Sequence, residues 1–439
     1  MAEFLPFLMF VALAVFIMIG YPVAFTLGGL ALVFGLLGFG LDFFTLLPMR
    51  IWGRMSSFTL VAVPLFIFMG VFLDRSGLAE DLLDTMALLF GRIRGGVAVS
   101  VVVVGAMLAA STGIMGATVV TMGVISLPLM LKRKYSTELA TGTICAASTL
   151  GQIIPPSISL VILGDIMGIS VGELFMGAVI PGLMLVGLYI AYILIYSWRH
   201  PESAPGLSDE EMASITPKEL TVRVFKALLP PAGLILTVLG SIFLGVASPT
   251  EAASVGALGA MLLTVVRGRM SLDVLKDVMR QTTRFTSMAF LILLGATTFG
   301  LVFRFLGGDA ALKHFVSSFG GGVWGVMILV MGVLFVLGFF LDFIEITFII
   351  MPILAPIVDH LGINPMWFCI LVCLNFQTSF LTPPFGFALF YLKGVCPPEV
   401  QTTQIYKGII PFVAIQLTGM MLVVVFPELC TWLPGVLFK

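Results

Sequence analysis

Two stretches of this chain gather oxygen-bearing side chains, glycine and paired prolines in otherwise apolar surroundings. They are Gly151-Gln152-Ile153-Ile154-Pro155-Pro156-Ser157 and Thr378-Ser379-Phe380-Leu381-Thr382-Pro383-Pro384-Phe385-Gly386. Proline lacks an amide proton and its ring clashes with the preceding helical turn, so neither stretch is expected to be one continuous helix. A break in a helix frees main-chain carbonyls, hard oxygen donors of the kind that suit Na+. Helix N-termini at the same break carry partial positive charge and attract a carboxylate. The polar groups near the first break are Ser148, Thr149, Gln152 and Ser157, with Ser111, Thr112, Gly113 and Thr118 upstream. Those near the second are Asn375, Gln377, Thr378, Ser379 and Thr382, with Asp342, Glu345 and Thr347 upstream. Such a set can bind a cation and a small organic anion side by side.

A plainer reading stands beside this one. Ser and Thr are common in membrane helices, where they bond to neighbours or back to their own carbonyls. The binding reading rests on two such sets occurring together, each beside a break. Asp342 and Glu345 differ from the rest, because a carboxylate at membrane depth is costly and by default marks ion or proton handling. A capping or gating role near a hydrated tip is the alternative. Asp165 and Glu173 are expected at solvated helix ends, and Arg304 is expected to snorkel to an interface.

The elements that must position these groups are membrane helices. The 439 residues are 59% hydrophobic and 10% charged, with mean hydropathy +1.16, whereas a soluble domain is about 25% charged. The chain reads as an all-α, polytopic protein of the lipid bilayer. Met1 to Gly20 carries Glu3 and no Lys or Arg, so it reads as a retained helix rather than a cleaved signal. The net charge of −1 says nothing about nucleic acid, but no basic block stands beyond Lys132-Arg133-Lys134, which reads as a cytoplasmic anchor, so no nucleic acid partner is expected. The five cysteines show no zinc spacing and read as small packing residues. The three histidines fall in expected loops, and HExxH, GxSxG and Walker motifs are missing. Gly91-Arg92-Ile93-Arg94-Gly95-Gly96 does not follow a strand, so it is no phosphate loop. An enzyme and an organic cofactor are therefore not expected, and ATP-driven transport would need another subunit.

Helices are expected near 4–19, 22–40 and 58–73, followed by an amphipathic stretch from Asp74 to Arg94. An apolar run over 97–131 has Ser111-Thr112-Gly113 near its middle, and reads either as one long span or as a hairpin that dips in and returns. A broken helix over 138–167 and a span over 173–196 complete the first half. The second half repeats the plan, with helices near 228–246, 252–266 and 285–306 and a polar stretch from Ser271 to Arg284. A run over 323–358, interrupted at Asp342 and Glu345, precedes a broken helix over 365–393 and a span over 408–426. Pro128 and Pro356 lie 228 apart, as do Pro155 and Pro383; Gly70 and Gly295 lie 225 apart, and Pro181 and Pro411 lie 230 apart. This register divides the chain into repeats at 1–197 and 228–439, joined by a polar linker at 198–227.

If Lys132-Arg133-Lys134 is cytoplasmic, consistent threading puts 17 of the 22 basic residues on that side, a positive-inside bias. Only Arg50, Arg54, Arg304, Lys313 and Lys439 fall outside. The threading makes both apolar runs re-entrant hairpins, open to opposite sides, and places the N-terminus in the periplasm. The halves then have opposite topology, the inverted-repeat plan of many secondary transporters. Threading both runs as full spans is the alternative.

With these residues in hand, the chain resembles, over essentially its full length, the large membrane subunit of tripartite ATP-independent periplasmic (TRAP) transporters. The resemblance is carried by Gly151 to Ser157, the Thr382-Pro383-Pro384-Phe385-Gly386 element, Phe340-Leu341-Asp342 ahead of Pro352 and Pro356, and Ser111-Thr112-Gly113. The longer run from Asn375 to Tyr391 is similar to the mannitol, chloroaromatic or 2-oxo-acid branch. The resemblance implies a scaffold domain and a moving, elevator-type transport domain holding two re-entrant hairpins. It also implies a small four-helix membrane subunit, a soluble periplasmic substrate-binding protein, and inward transport of a carboxylate across the bacterial inner membrane driven by Na+. Carried over by motif, one Na+ site involves Ser111, Thr112 and Gly113 with Gly151, Ile153 and Pro155. The other involves Asp342 with Thr378, Thr382 and Pro383. The substrate would then meet Ser111, Ser148, Thr149, Gln152, Ser157, Glu345, Asn375, Gln377 and Ser379. Two departures from the family pattern stand out: Ser-Thr-Gly replaces the frequent Ser-Gly-Ser in the first hairpin, and Ser379-Phe380-Leu381 replaces the usual glycine before the second Thr-Pro-Pro. A self-sufficient Na+- or H+-coupled carboxylate transporter of similar fold is the alternative function.

Overall fold

A computed structural model of the chain describes residues 5–113, 115–206, 216–318 and 321–437. These residues fold as helices throughout, without a strand. Seven of the helices are long and apolar enough to cross a membrane, and an eighth span results if the bent pair Leu41–Met55 and Thr59–Arg75 is counted as one. The protein is a multi-pass membrane protein.

Both long apolar runs fold as helical hairpins. The first has arms Gly96–Thr112 and Met115–Lys132, and the second has arms Gly322–Leu337 and Phe343–His360. Each is followed by a broken helix: Thr137–Thr149 with Ile158–Met167, and Pro365–Leu381 with Phe387–Val395. The broken helices start at equivalent caps. The Ser136 hydroxyl accepts the Leu139 amide at 3.3 Å, and 228 residues later the Asn364 carbonyl oxygen accepts Met366 and Trp367 amides at 3.0 and 3.2 Å. Such caps satisfy amides that a helix start leaves unpaired. Long single helices, Val171–Arg199 and Thr402–Val425, close the two halves. Pro155-Pro156 and Pro383-Pro384 are both cis.

Several boundaries differ from those read in the sequence. Ser271 to Arg284 is not a separate stretch but the first half of one helix, Leu272–Phe305. No proline or glycine separates the polar and apolar parts, so the helix simply crosses from water into lipid. The end of the linker is likewise helical, within Pro217–Phe243. Three short helices were not foreseen: Leu47–Met55, Gly308–Ser318 and Glu428–Leu437.

Packing follows the register. Ala62–Arg75 lies against Pro249–Val266, and the equivalent pair Leu272–Phe305 and Val23–Phe39 packs in the same way. In the first pair Thr250 and Thr264 donate to the Phe58 and Phe72 carbonyls at 3.0 and 3.4 Å. In the second, a Cβ on Gly295 would stand 2.6 Å from the Ala24 carbonyl oxygen, so the backbones nearly touch. At one end of this helix group Arg75 pairs with Asp277 at 2.7 Å and Arg267 pairs with Asp81.

The hairpins and broken helices form a second group with matching internal contacts. The first arm of each hairpin packs on the first arm of the broken helix in its own half. The second arm crosses over: Met115–Lys132 lies against Phe387–Val395, and Phe343–His360 against Ile158–Met167. Thr137–Thr149 also lies very close to Thr402–Val425, where a Cβ on Gly142 would run into the Gly408 carbonyl and one on Gly408 into the Glu138 carbonyl.

Candidate functional site

The cross-packing brings each hairpin tip to the helix break of its own half. In the first half the approach is made by small residues. A Cβ on Gly105 would stand 2.7 Å from the Ala147 Cβ, and one on Gly151 would stand 2.7 Å from the Ala109 carbonyl oxygen. Gly113 turns the hairpin at φ +60, where side chains are strained, and a Cβ there would be 2.9 Å from Ile158. The side chains of Ser111 and Thr112 lie outside the described residues; their backbone closes the helix Gly96–Thr112.

In the second half the same places are filled by hydrogen bonds. The Asn375 side-chain amide donates to the Met331 carbonyl at 2.8 Å, and the Ser379 hydroxyl donates to the Phe335 carbonyl at 2.6 Å. Asn375 and Ser379 stand 228 residues after Ala147 and Gly151. The two halves thus solve one packing problem with contact in one case and polar clamps in the other. Gly338 completes the second clamp, since any Cβ there would run into the Ser379 hydroxyl. Ser379→Ala should loosen the first arm of this hairpin by about 1 kcal/mol, the net worth of one hydrogen bond. Faster amide exchange over 322–337, with 96–112 unchanged, would register it; equal exchange in both arms would count against the clamp.

The remaining hydroxyls divide into groups. Ser148, Thr149 and Thr378 bond back to Ile144, Ala146 and Leu374 carbonyls at 2.7, 2.9 and 2.8 Å. Thr382 sits just past the end of its helix and donates to Thr378 at 2.7 Å, and Ser157 donates to Gln152 at 3.0 Å. A hydroxyl that donates its proton still has both lone pairs to accept with. Among the described residues the Ile153 and Pro155 carbonyls receive no hydrogen bond, and the buried Gln152 side-chain oxygen has no partner. Buried carbonyls are normally paired. Unpaired hard oxygens at a helix break are what a Na+ ion would need.

Asp342 and Glu345 form a capping box at the start of Phe343–His360. The Glu345 carboxylate accepts the Asp342 amide at 3.0 Å. The capping alternative read from the sequence is therefore present in the geometry.

Sequence reasoning missed Gln416. It is fully buried in Thr402–Val425, where its amide donates to the Gln377 side-chain oxygen at 3.1 Å and reaches the Thr149 hydroxyl at 3.5 Å. Thr149 and Gln377 are equivalent positions, 228 apart, so Gln416 links the two broken helices at the centre of the duplicated group. A lone amide in an apolar run was the available signal.

Comparison with known proteins fits this architecture. Residues 10–429 match the family described as "Tripartite ATP-independent periplasmic transporter, DctM component". The C4-dicarboxylate TRAP transporter large permease protein DctM of Pseudomonas aeruginosa is 32% identical over 410 residues, 93% of this chain and 93% of its own. The ectoine TRAP transporter large permease protein TeaC of Halomonas elongata is 29% identical, covering 96% of this chain and 97% of its own. The sialic acid TRAP transporter large permease protein SiaM of Vibrio cholerae is 28% identical, covering 94% and 95%. Among solved structures, the Alcanivorax borkumensis YdaH transporter shares the fold at TM-score 0.61 and 15% identity, over 92% of this chain and 96% of that one. Duplicated hairpins, breaks that expose carbonyls and a match across nearly the whole length lead to one conclusion: the chain belongs to the DctM family of TRAP transporter large permease subunits.

Proposed function

We propose that this subunit imports a small organic carboxylate across the inner membrane, coupled to a Na+ gradient. It would be supplied by a soluble periplasmic binding protein and work with a small four-helix membrane subunit. The observation that carries the reading is the pair of matched helix breaks. At the first, buried carbonyls of Ile153 and Pro155 and the Gln152 side chain offer oxygens without partners among the described residues. At the second, Thr382 keeps two free lone pairs. Neither break holds a Lys or Arg, so Na+, hydroxyls and helix ends would hold the carboxylate. The names of the relatives give C4-dicarboxylates, ectoine and sialic acid, each of which bears a carboxylate.

The two groups of helices suggest how movement would occur. The pair of equivalent helix contacts built on Val23–Phe39 and Pro249–Val266 would be the scaffold. The hairpins and broken helices would move against it as one elevator-type body, with the halves in opposite topology and the N-terminus in the periplasm, as the positive-inside distribution suggests.

The deciding experiment is uptake into proteoliposomes containing the chain and its small subunit, with a panel of labelled carboxylates. Uptake is expected only with both an inward Na+ gradient and the cognate binding protein. Uptake that needs Na+ but no binding protein would favour a self-sufficient transporter; uptake indifferent to Na+ would remove the coupling.

A further inference from the structure

Of the five basic residues that escape the cytoplasmic set, the three arginines come together. Arg50, Arg54 and Arg304 line one cavity of about 490 Å³. Arg50 and Arg54 are four residues apart on the helix Leu47–Met55, so they share a face. Arg304 comes from the last turn of Leu272–Phe305. The opposite wall is formed by Phe348 and Pro352 of the second hairpin, and among the described residues no acidic side chain lines the cavity.

These charges are incompletely answered. Arg54 and Arg304 stand 3.9 Å from Asp165 and Asp309, the outer limit of an ion pair, and Asp165 also accepts the Ser57 hydroxyl at 2.6 Å. Arg304 donates to the Pro352 carbonyl at 3.0 Å across the cavity. Arg50 makes no ion pair or hydrogen bond among the described residues. Three guanidinium groups on one wall repel one another unless an anion joins them, and their planar forks match a carboxylate in two-point contact. The facing apolar wall suits the carbon body of an organic acid better than an inorganic ion.

We propose that this cavity is an external receiving site, which takes the carboxylate of the transported organic acid before it reaches the helix breaks. The inference rests on the transport reading above. It adds a second site in which guanidinium groups, absent from the breaks, hold the anion. Arg304 stands on Leu272–Phe305 of the scaffold, and the helix carrying Arg50 and Arg54 packs against that helix, so the anion would be held on the part that stays while the hairpin wall moves. Arg304 touches both walls through Pro352.

Modification by phenylglyoxal tests it without depending on transport. The full chain with its small subunit is placed in phosphatidylcholine nanodiscs. Modification of each arginine is followed by mass spectrometry in sodium benzoate, succinate or pyruvate, against sodium chloride. At least one carboxylate is expected to slow modification of Arg50 and Arg54 about tenfold, the protection given when nine in ten sites are filled, while Arg92 and Arg280 react at unchanged rates. Arg50→Gln should weaken the protection of Arg54, and Arg50→Lys should restore part of it. Equal rates in chloride and in every carboxylate would overturn the proposal. So would protection that appears without carboxylate when phosphatidylglycerol is added and is not displaced by carboxylate, since a lipid headgroup would then be the occupant. Na+-driven uptake is measured on the same purified protein reconstituted into proteoliposomes with the cognate binding protein. Uptake without protection rejects the receiving site alone, and no uptake rejects the transport reading on which it rests.

Discussion

Valine in place of Thr382 should raise the Na+ concentration needed for half-maximal uptake at least about tenfold while the yield of folded protein stays unchanged. Valine keeps the shape and branching of threonine, so packing at the helix end is retained. What goes is one oxygen. The Thr382 hydroxyl gives its proton to the Thr378 carbonyl at 2.7 Å, which anchors it and leaves both lone pairs directed elsewhere. Main-chain carbonyls could compensate only by moving, and the break is held by the Gly386 amide donating to the Thr382 carbonyl at 3.1 Å. Loss of one charge-assisted contact, about 1.5–3 kcal/mol, corresponds to a rise of at least about tenfold in the Na+ concentration giving half-maximal uptake. Thr382→Ser retains the oxygen and should retain the Na+ dependence. Normal uptake by the valine variant, with its Na+ dependence unmoved, would remove the hydroxyl from the ion site.

The second large effect concerns the fold. Gly408→Val should abolish the folded protein, seen as loss of the monodisperse peak after detergent extraction, and Gly142→Val should do nearly the same. A Cβ at Gly408 runs into the Glu138 carbonyl and lies 3.0 Å from the Glu138 Cα, and one at Gly142 runs into the Gly408 carbonyl. These are main-chain atoms, so no rotamer change can relieve the clash and the helices must separate. Overpacking of even an adaptable core costs about 1–3 kcal/mol. Here the separation would also disturb the Gln416 contacts with Gln377 and Thr149. Gly187→Val is the control, because a Cβ at Gly187 meets nothing within 4 Å. A Gly408 variant that purifies as well as the Gly187 variant would show that the two helices do not pack at this distance.

Much of the architecture could be read from the chain because hydropathy and helix breaking are local properties. The hairpins, the two breaks and the repeat register follow from apolar runs, paired prolines and constant spacings. The same reasoning erred at Ser271 to Arg284, where composition changes at the membrane boundary while the helix runs on. Proline pairs also turn out not to be sufficient by themselves. Pro230-Pro231 lies inside the continuous helix Pro217–Phe243. The carbonyls that these prolines leave unbonded belong to Lys226 and Ala227; Lys226 is exposed, where water can serve its carbonyl, while Ala227 is buried. The pairs at Pro155 and Pro383 both fall between apolar segments; Pro155 and Pro156 are buried among protein atoms, whereas Pro384 is exposed beside a half-buried Pro383.

What the sequence by itself determined, then, is where helices must cross, turn and break, since each of these depends on residues a few positions apart. Tertiary structure decided what the polar groups do. It placed Asn375 and Ser379 as clamps on the second hairpin, Asp342 and Glu345 as a helix cap, and Gln416 between equivalent positions of both repeats. It also drew Arg50, Arg54 and Arg304 from distant segments into one cavity. A hydroxyl, amide or guanidinium carries the same chemistry wherever it stands. Its role depends on which partner is within about 3 Å, and that partner is brought there by helices far away in the chain.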